Sequence, residues 1–193
     1  MSFIKDLLQR KPQDQTIFTA TEIAQLLEIY PRDKLYSALK YAVQKKDIIR
    51  IARNYYSFSA NYSFFELGNK LRRPSYISLY SILQEEGVIF QPYNSIFLIS
   101  NRSEKVVIDS MTYVYRCIKK EILLNTTGIV VSPFISKATK ERALCDKIYL
   151  DGPEYFDNVR NINWSLMKTL NKEVYNCSKK IKQFIKENAH ERT

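Results

Sequence analysis

The sequence predicts an α+β protein with two domains. Residues 1–61 are expected to form an N-terminal winged helix-turn-helix, and residues 62–193 a mixed α/β domain with a helical C-terminal tail. Three observations predict this. Helical periodicity leads into a hairpin pattern within the first sixty residues, short β-rich segments follow, and helical periodicity returns after Lys137. The 193 residues suffice for one or two cores, since domains commonly contain about 100–150 residues.

The first domain begins with local helix signals. Residues 2–10 place their apolar side chains on one helical face, and Pro12 follows soon afterwards. Residues 16–18 are predicted to be extended. Thr19 and Glu22 then have the spacing of a capping box, in which each side chain bonds to the backbone N–H of the other residue. A second helix is therefore expected to begin at Thr19.

A third helix is predicted after Pro31, a residue that suits the first turn of a helix. Its apolar set, which includes Leu35 and Leu39, recurs at helical spacing. The remaining surface carries Arg32, Lys34, Ser37, Lys40, Tyr41 and Gln44. These side chains can contact phosphates or base edges, so we expect this helix to bind DNA.

A β-hairpin with a basic tip is predicted after Asp47, with strands near residues 48–51 and 55–58. Arg50, Arg53 and Asn54 are its expected DNA contacts. The order helix, short strand, helix, helix, hairpin is that of a winged helix-turn-helix, which inserts its third helix into the major groove. A winged helix used only for protein interaction is the open alternative.

In the second domain, a linking helix is expected over residues 62–71. A further helix over 75–86 is predicted to be capped by Ser75 and to end at Gly87 in the left-handed conformation. Strands of a mixed or antiparallel sheet are expected at residues 88–90, 95–100, 105–108, 113–118 and 128–131. Helices are expected at residues 137–150, 164–170 and 174–185.

The charge balance favours a polyanionic partner. Thirty Lys and Arg against twenty Asp and Glu give a formal charge of +10, which attracts DNA, RNA or an anionic membrane surface. A solvated basic surface without a ligand is the alternative. In the tail, Lys179, Lys180, Lys182 and Lys186 lie outside the apolar stripe and are expected to face solvent.

No metal, cofactor or membrane segment is expected. Cys117, Cys145 and Cys177 are widely spaced, and only His190 could complete a zinc ligand set. No apolar run is long enough for a signal peptide or a membrane-spanning helix. A cytoplasmic protein with reduced thiols is therefore expected.

Two segments carry a family resemblance. The run Arg-Pro-Ser-Tyr-Ile-Ser-Leu-Tyr-Ser-Ile-Leu covers residues 73–83 and is followed by Gly-Val-Ile at 87–89. The run Ala-Thr-Lys-Glu-Arg-Ala-Leu-Cys-Asp covers residues 138–146. Together with the first domain, these segments resemble AbiEi-type antitoxins of abortive-infection systems over roughly residues 1–150. Considered physically, Tyr76 and Tyr80 are expected to be core aromatics, and Glu141 and Arg142 surface charges.

The resemblance implies a transcriptional autorepressor that binds double-stranded DNA in its own promoter, at inverted repeats. It also implies that the second domain neutralises a nucleotidyltransferase-like toxin. A stand-alone winged-helix regulator is the alternative, and the oligomeric state stays open.

An enzyme is not expected, because no complete catalytic set is present. The four glycines are far apart, so phosphate-cradling loops are absent, and His190 is the only histidine. The rival enzymatic interpretation is a metal-dependent nuclease with Asp109 and Glu121 as ligands. Such nucleases need an Asp or Glu with Lys two places later, and no acidic residue in this chain meets that condition.

Overall fold

The computed structural model of the chain describes residues 3–29 and 31–189 and has a mixed α+β architecture, which confirms the predicted class. Contacts between residues separate the chain into two compact units, Met1–Leu67 and Gly68–Thr193. Each unit has its own sheet, and each is described by itself below.

The first unit contains three complete helices and three strands among its described residues, in the order predicted from the sequence, and ends within a fourth helix. These are α1 (Phe3–Arg10), β1 (Phe18–Thr19), α2 (Ala20–Leu27), α3 (Arg32–Gln44), β2 (Ile49–Ala52) and β3 (Tyr55–Ser57). The strands form an antiparallel sheet in the order β1-β3-β2. Its core includes Leu7, Phe18, Ile23, Leu35, Leu39, Ile48 and Tyr56, which are all buried.

The predicted capping box at the start of α2 is confirmed. The Thr19 side chain accepts a hydrogen bond from the Glu22 backbone N–H at 3.1 Å, and the Glu22 carboxylate accepts from the Thr19 N–H at 2.8 Å. These two bonds satisfy backbone donors that a helix start leaves without partners. The local sequence therefore correctly predicted where α2 begins.

Glu66 links the end of the first unit to its first strand region. Its side chain is buried and lies in α4 (Phe64–Leu71), the helix in which the two units join. The carboxylate accepts from the Thr16 N–H at 2.8 Å, from the Thr16 hydroxyl at 2.6 Å and from the Ile17 N–H at 3.2 Å. These bonds compensate the burial of the carboxylate.

The second unit is built on a mixed sheet of six strands in the order β6-β7-β5-β4-β9-β8. The pairs β5–β7 and β4–β9 are parallel, and the other pairs are antiparallel. The strands are β4 (Ser75–Ile77), β5 (Ser95–Ser100), β6 (Glu104–Ile108), β7 (Met111–Cys117), β8 (Ile129–Val131) and β9 (Ser136–Ala138). The helices after α4 are α5 (Tyr80–Glu85), α6 (Lys120–Leu124), α7 (Lys140–Asp151), α8 (Trp164–Glu173) and α9 (Lys179–Asn188).

The predicted helix over residues 75–86 is wrong at its start, because Ser75 begins strand β4 and does not cap a helix. Tyr76 and Ile77 pair with residues of β5, and Ile77 also pairs with β9. Strand partners distant in sequence outweigh the helical spacing of the apolar residues here. Only α5 is helical, and Gly87 follows it with φ +64°, the predicted left-handed conformation.

Two further boundaries differ from the prediction. No strand forms over residues 88–90, because the Val88 and Ile89 N–H groups both donate to the Leu83 carbonyl at the end of α5. Residues 137 and 138 belong to β9 and not to the following helix. The helix α7 begins after Thr139, whose hydroxyl accepts from the Arg142 N–H at 3.3 Å.

The predicted helix over residues 174–185 is also wrong at its start. The preceding helix α8 continues to Glu173, and α9 begins only at Lys179. Between them, Asn176 and Cys177 have φ values of 49° and 55°. Two successive left-handed residues cannot continue a right-handed helix, so they separate α8 from α9.

Candidate nucleic-acid interface

All nine side chains predicted to contact DNA are exposed. Six lie on α3 and three on the hairpin formed by β2 and β3. They are Arg32, Lys34, Ser37, Lys40, Tyr41, Gln44, Arg50, Arg53 and Asn54. Exposure leaves their polar groups available to a ligand.

Five of the nine residues surround one groove between α3 and the hairpin. It has a volume of about 590 Å³, and we call it the α3–hairpin groove. The charged and amide side chains of its lining are Lys40, Gln44, Arg50, Arg53 and Asn54. The other four, Arg32, Lys34, Ser37 and Tyr41, are exposed on α3 but do not line the groove.

The helical repeat explains which α3 residues reach the groove. Leu35, Leu39 and Ala42 are buried and attach α3 to the core of the first unit. Lys40 and Gln44 are four residues apart, so their side chains lie on the same face of the helix. Tyr36, one turn before Lys40, also lines the groove and is 44% exposed. Tyr36 was not among the residues predicted to contact DNA, although its four-residue spacing from Lys40 points to it.

The hairpin tip is held in place by its backbone. Arg53 and Asn54 connect the paired residues Ala52 and Tyr55, and Asn54 has φ +69°, a left-handed conformation that asparagine tolerates. The Asn54 carbonyl accepts from the Ala20 N–H at 3.0 Å, which joins the tip to the start of α2. Arg53 therefore projects from a backbone with a defined position.

The groove is positively charged. Within residues 3–29 and 31–189, none of Lys40, Arg50 and Arg53 forms an ion pair with a carboxylate. Burial raises the pKa of the nearby Tyr56 hydroxyl, although the Arg50 charge acts in the opposite direction. The groove thus combines three cations with neutral groups that can donate and accept hydrogen bonds.

The second unit uses its charges differently, and the expectation that Arg142 is a surface charge is wrong. Arg142 is fully buried. Its guanidinium donates to the backbone oxygens of Ile122 and Thr127 at 2.7 and 2.8 Å, and to the Tyr76 hydroxyl at 3.1 Å. Its Nε lies 3.6 Å from an oxygen of Asp146, which is also fully buried.

Asp146 is held by three hydroxyl groups. It accepts from Ser78 at 2.7 Å, from Tyr175 at 2.7 Å and from Tyr76 at 3.1 Å. Complete burial raises the pKa of this carboxyl, although the Arg142 charge and the hydrogen bonds act in the opposite direction. Protein hydroxyl groups donate to both oxygens of the Asp146 carboxylate, so the cluster joins α7 to β4 and serves the fold.

The expectation for Glu141 is wrong, and the expectation for the two tyrosines holds only for Tyr76. Glu141 is not a surface charge either: it is 5% exposed, and its carboxylate accepts from the Asn163 N–H at 3.0 Å. Tyr76 is a core aromatic at 3% exposure, whereas Tyr80 is partly exposed and donates to Glu154 at 3.1 Å. Every residue of α7 from Glu141 to Ile148 is buried.

Asp109 and Glu121, the ligands of the nuclease alternative, are both exposed. Asp109 lies in the turn between β6 and β7, and Glu121 lies in α6. In the described part of the chain, no three His, Cys, Asp or Glu side chains come together in a way that could hold a metal ion.

The described helices include none with the length and apolar character needed to cross a membrane. Neither a scan against protein-family models nor a search among curated proteins gives a match to this chain.

Proposed function

We propose that the first unit is a winged helix-turn-helix that binds double-stranded DNA. The observation that carries this proposal is the α3–hairpin groove, where Lys40, Gln44, Arg50, Arg53 and Asn54 converge from two elements. A winged helix places its third helix in the major groove and its hairpin beside the backbone or the minor groove. The exposed polar residues lie on those two elements.

The two elements offer different chemistry to DNA. Lys40 and Gln44 can reach base edges, because lysine donates to guanine and glutamine pairs with adenine in the major groove. Arg50 and Arg53 suit phosphates or a narrow minor groove. The formal charge of +10 supports this proposal, since neutralised phosphates release counterions and favour association.

We propose that the DNA target is the protein's own promoter, bound at inverted repeats, so that the protein represses its own transcription in the bacterial cytoplasm. The test is a fluorescence anisotropy titration of the full chain against a duplex from its upstream region. A duplex of the same composition in shuffled order is the control. We expect tighter binding to the upstream duplex and a steep loss of affinity with salt.

Equal affinity for the upstream and shuffled duplexes at moderate salt would contradict autorepression. Lack of binding to either duplex would contradict DNA binding and favour a winged helix used only in protein interaction. Preference for the upstream duplex, combined with failure to neutralise a toxin in the co-expression test described below, would favour a stand-alone regulator.

We further propose that the second unit neutralises a nucleotidyltransferase-like toxin. The resemblance of residues 73–83 and 138–146 to AbiEi-type antitoxins supports this function. Arg142 and Asp146, which belong to the second of these segments, are buried, so that segment bears on the fold and leaves the neutralising surface to other residues.

Co-expression with a neighbouring nucleotidyltransferase-like gene tests the antitoxin function. The full chain should restore growth, and so should the variant with Lys40→Ala and Gln44→Ala, which alters only the proposed DNA-reading residues. Loss of rescue in that variant, at unchanged protein level, would mean that neutralisation depends on DNA binding. Toxicity that the full chain leaves unchanged would contradict the antitoxin function itself.

A further inference from the structure

A second basic groove lies between α8 and α9 in the second unit. It has a volume of about 760 Å³, and we call it the lysine groove. Its lysines come from both helices: Lys168, Lys172, Lys179, Lys182 and Lys186. The other lining residues are Ile185, Ala189, Asn171, Gln183 and Cys177.

The five lysines are exposed, and their ammonium groups form no ion pairs with carboxylates in the part of the chain that the structure describes. On α8, Lys168 and Lys172 are one helical turn apart, and on α9 Lys182 and Lys186 are likewise one turn apart. Their mutual repulsion favours an anionic occupant.

The apolar part of the lining indicates that the occupant has apolar surface as well as negative charge. Ile185 and Ala189 contribute to the groove, and lysine stems add apolar area beside their charged ends. Phosphates of a DNA duplex would meet the lysines but would not bury this apolar lining. An amphipathic helix with acidic residues on both sides of an apolar face complements the lysines and the apolar lining together.

Asn171 gives an independent reason to expect an occupant. It lines the groove, is 7% exposed, and its amide nitrogen donates to the Ser178 carbonyl at 3.4 Å. Its side-chain oxygen is buried and has no hydrogen-bond partner among the described residues. A buried acceptor without a donor is destabilising, so a small adjustment that admits an occupant's N–H or O–H would be favourable.

We propose that the lysine groove docks an acidic amphipathic helix of a protein partner. A second copy of this chain is a poor occupant, because its net charge is +10. The proposal stands apart from DNA binding by the first unit and does not require the occupant to be the toxin.

The test uses the full chain and a fluorescein-labelled helical peptide of leucine and glutamate, with the leucines on one face. The comparison peptide has the same composition in an order that spreads the leucines around the helix. We expect the amphipathic peptide to bind at least about ten-fold more tightly in an anisotropy titration, because only it can fill the apolar lining.

Charge-reversal variants locate the binding site. Lys182→Glu with Lys186→Glu should weaken binding of the amphipathic peptide by about ten-fold or more, since attraction becomes repulsion. Lys105→Glu with Lys120→Glu changes the net charge equally, on exposed residues of β6 and α6 outside the groove, and serves as the matched control. Circular dichroism of both variants verifies their folding.

Cysteine alkylation gives a second readout that needs no substitution. Cys177 lines the lysine groove, whereas Cys117 is exposed at the end of β7 and does not line it. Bound peptide should slow maleimide labelling of Cys177 and leave Cys117 unchanged, as measured by mass spectrometry of digested protein.

Three results would overturn the proposal. They are equal affinity for the two peptides, equal loss in the groove variant and its control, and no protection of Cys177 at saturating peptide. The same labelling experiment with a shuffled DNA duplex tests the alternative that the lysine groove binds nucleic acid. If the duplex protects Cys177 and the amphipathic peptide does not, the lysine groove is a nucleic-acid contact.

Discussion

The arginines of the hairpin and of α7 show how differently one residue type can be used in the two units. Arg53 is exposed at the tip of the hairpin and lines the α3–hairpin groove. Arg142 is fully buried, and its two terminal guanidinium nitrogens donate to protein oxygens. A buried charge with partners inside the fold contributes to structure, whereas an exposed charge without one is available to a ligand.

The largest expected effect comes from breaking the buried pair. Asp146→Ala should lower the free energy of unfolding by about 3–5 kcal/mol, because it leaves Arg142 buried without its carboxylate. Urea denaturation followed by circular dichroism measures the change. Asp47→Ala, at an exposed site, should stay within about 0.5 kcal/mol. A loss below about 1 kcal/mol for Asp146→Ala would contradict the structural role.

Substitutions on the exposed face of α3 should change DNA binding and leave the stability of the fold unchanged. Lys40→Ala and Gln44→Ala should each reduce the preference for the upstream duplex over a shuffled one by about 1–3 kcal/mol per lost base contact. Competition anisotropy measures the ratio, and Lys105→Ala on β6 removes an equal charge as the control. An unchanged ratio with normal folding would mean that α3 does not read the sequence.

The capping box is an intermediate case, since Glu22 bonds to backbone N–H instead of to a cation. Thr19→Ala should cost about 1 kcal/mol of unfolding free energy, because the Glu22 N–H loses its acceptor. Thermal or urea denaturation measures it. Thr169→Ala, exposed inside α8, is the control and should be neutral or slightly stabilising, since alanine favours helix interiors. Equal changes in unfolding free energy for the two variants would mean that the Thr19 cap does not stabilise α2.

The smallest effect is expected at the hairpin tip. Arg53→Ala should weaken binding to the upstream and shuffled duplexes by the same few-fold factor and lower the salt slope by about one, as expected for a lost phosphate contact. Titrations at several salt concentrations measure the slope. A selective loss on the upstream duplex would instead assign Arg53 to base or shape readout.

Sequence reasoning succeeded where the signals are local. The capping box and the apolar spacing of α3 lie within a few residues of the elements they predict. The same spacing predicted that Lys40 and Gln44 lie on the outward face of α3, and both are exposed there and line the groove. Helical periodicity also predicts an exposed outer face without knowledge of the rest of the fold.

It failed where distant partners decide the outcome. Ser75 begins a strand because β4 pairs with β5 and β9, which the apolar spacing around it does not encode. Arg142 and Asp146 are separated from Tyr76 by 66 and 70 residues, so their burial depends on contacts that no local pattern contains. Charged residues are usually exposed, and that general tendency gave the wrong expectation for α7.

The carboxylate of Glu66 has a practical consequence for dissecting the chain. It is 50 residues from Thr16 in sequence, and both hydrogen bonds from Thr16 would be lost in an N-terminal fragment that stops at residue 61. Such a fragment would retain α3 and the hairpin but lose an acceptor that orders the residues before β1. An autonomous DNA-binding fragment should therefore extend at least through Leu67. A protease cut within the exposed residues 59–61 would, by contrast, keep both Thr16 and Glu66 in the sample. We therefore expect the two fragments to stay associated through these hydrogen bonds.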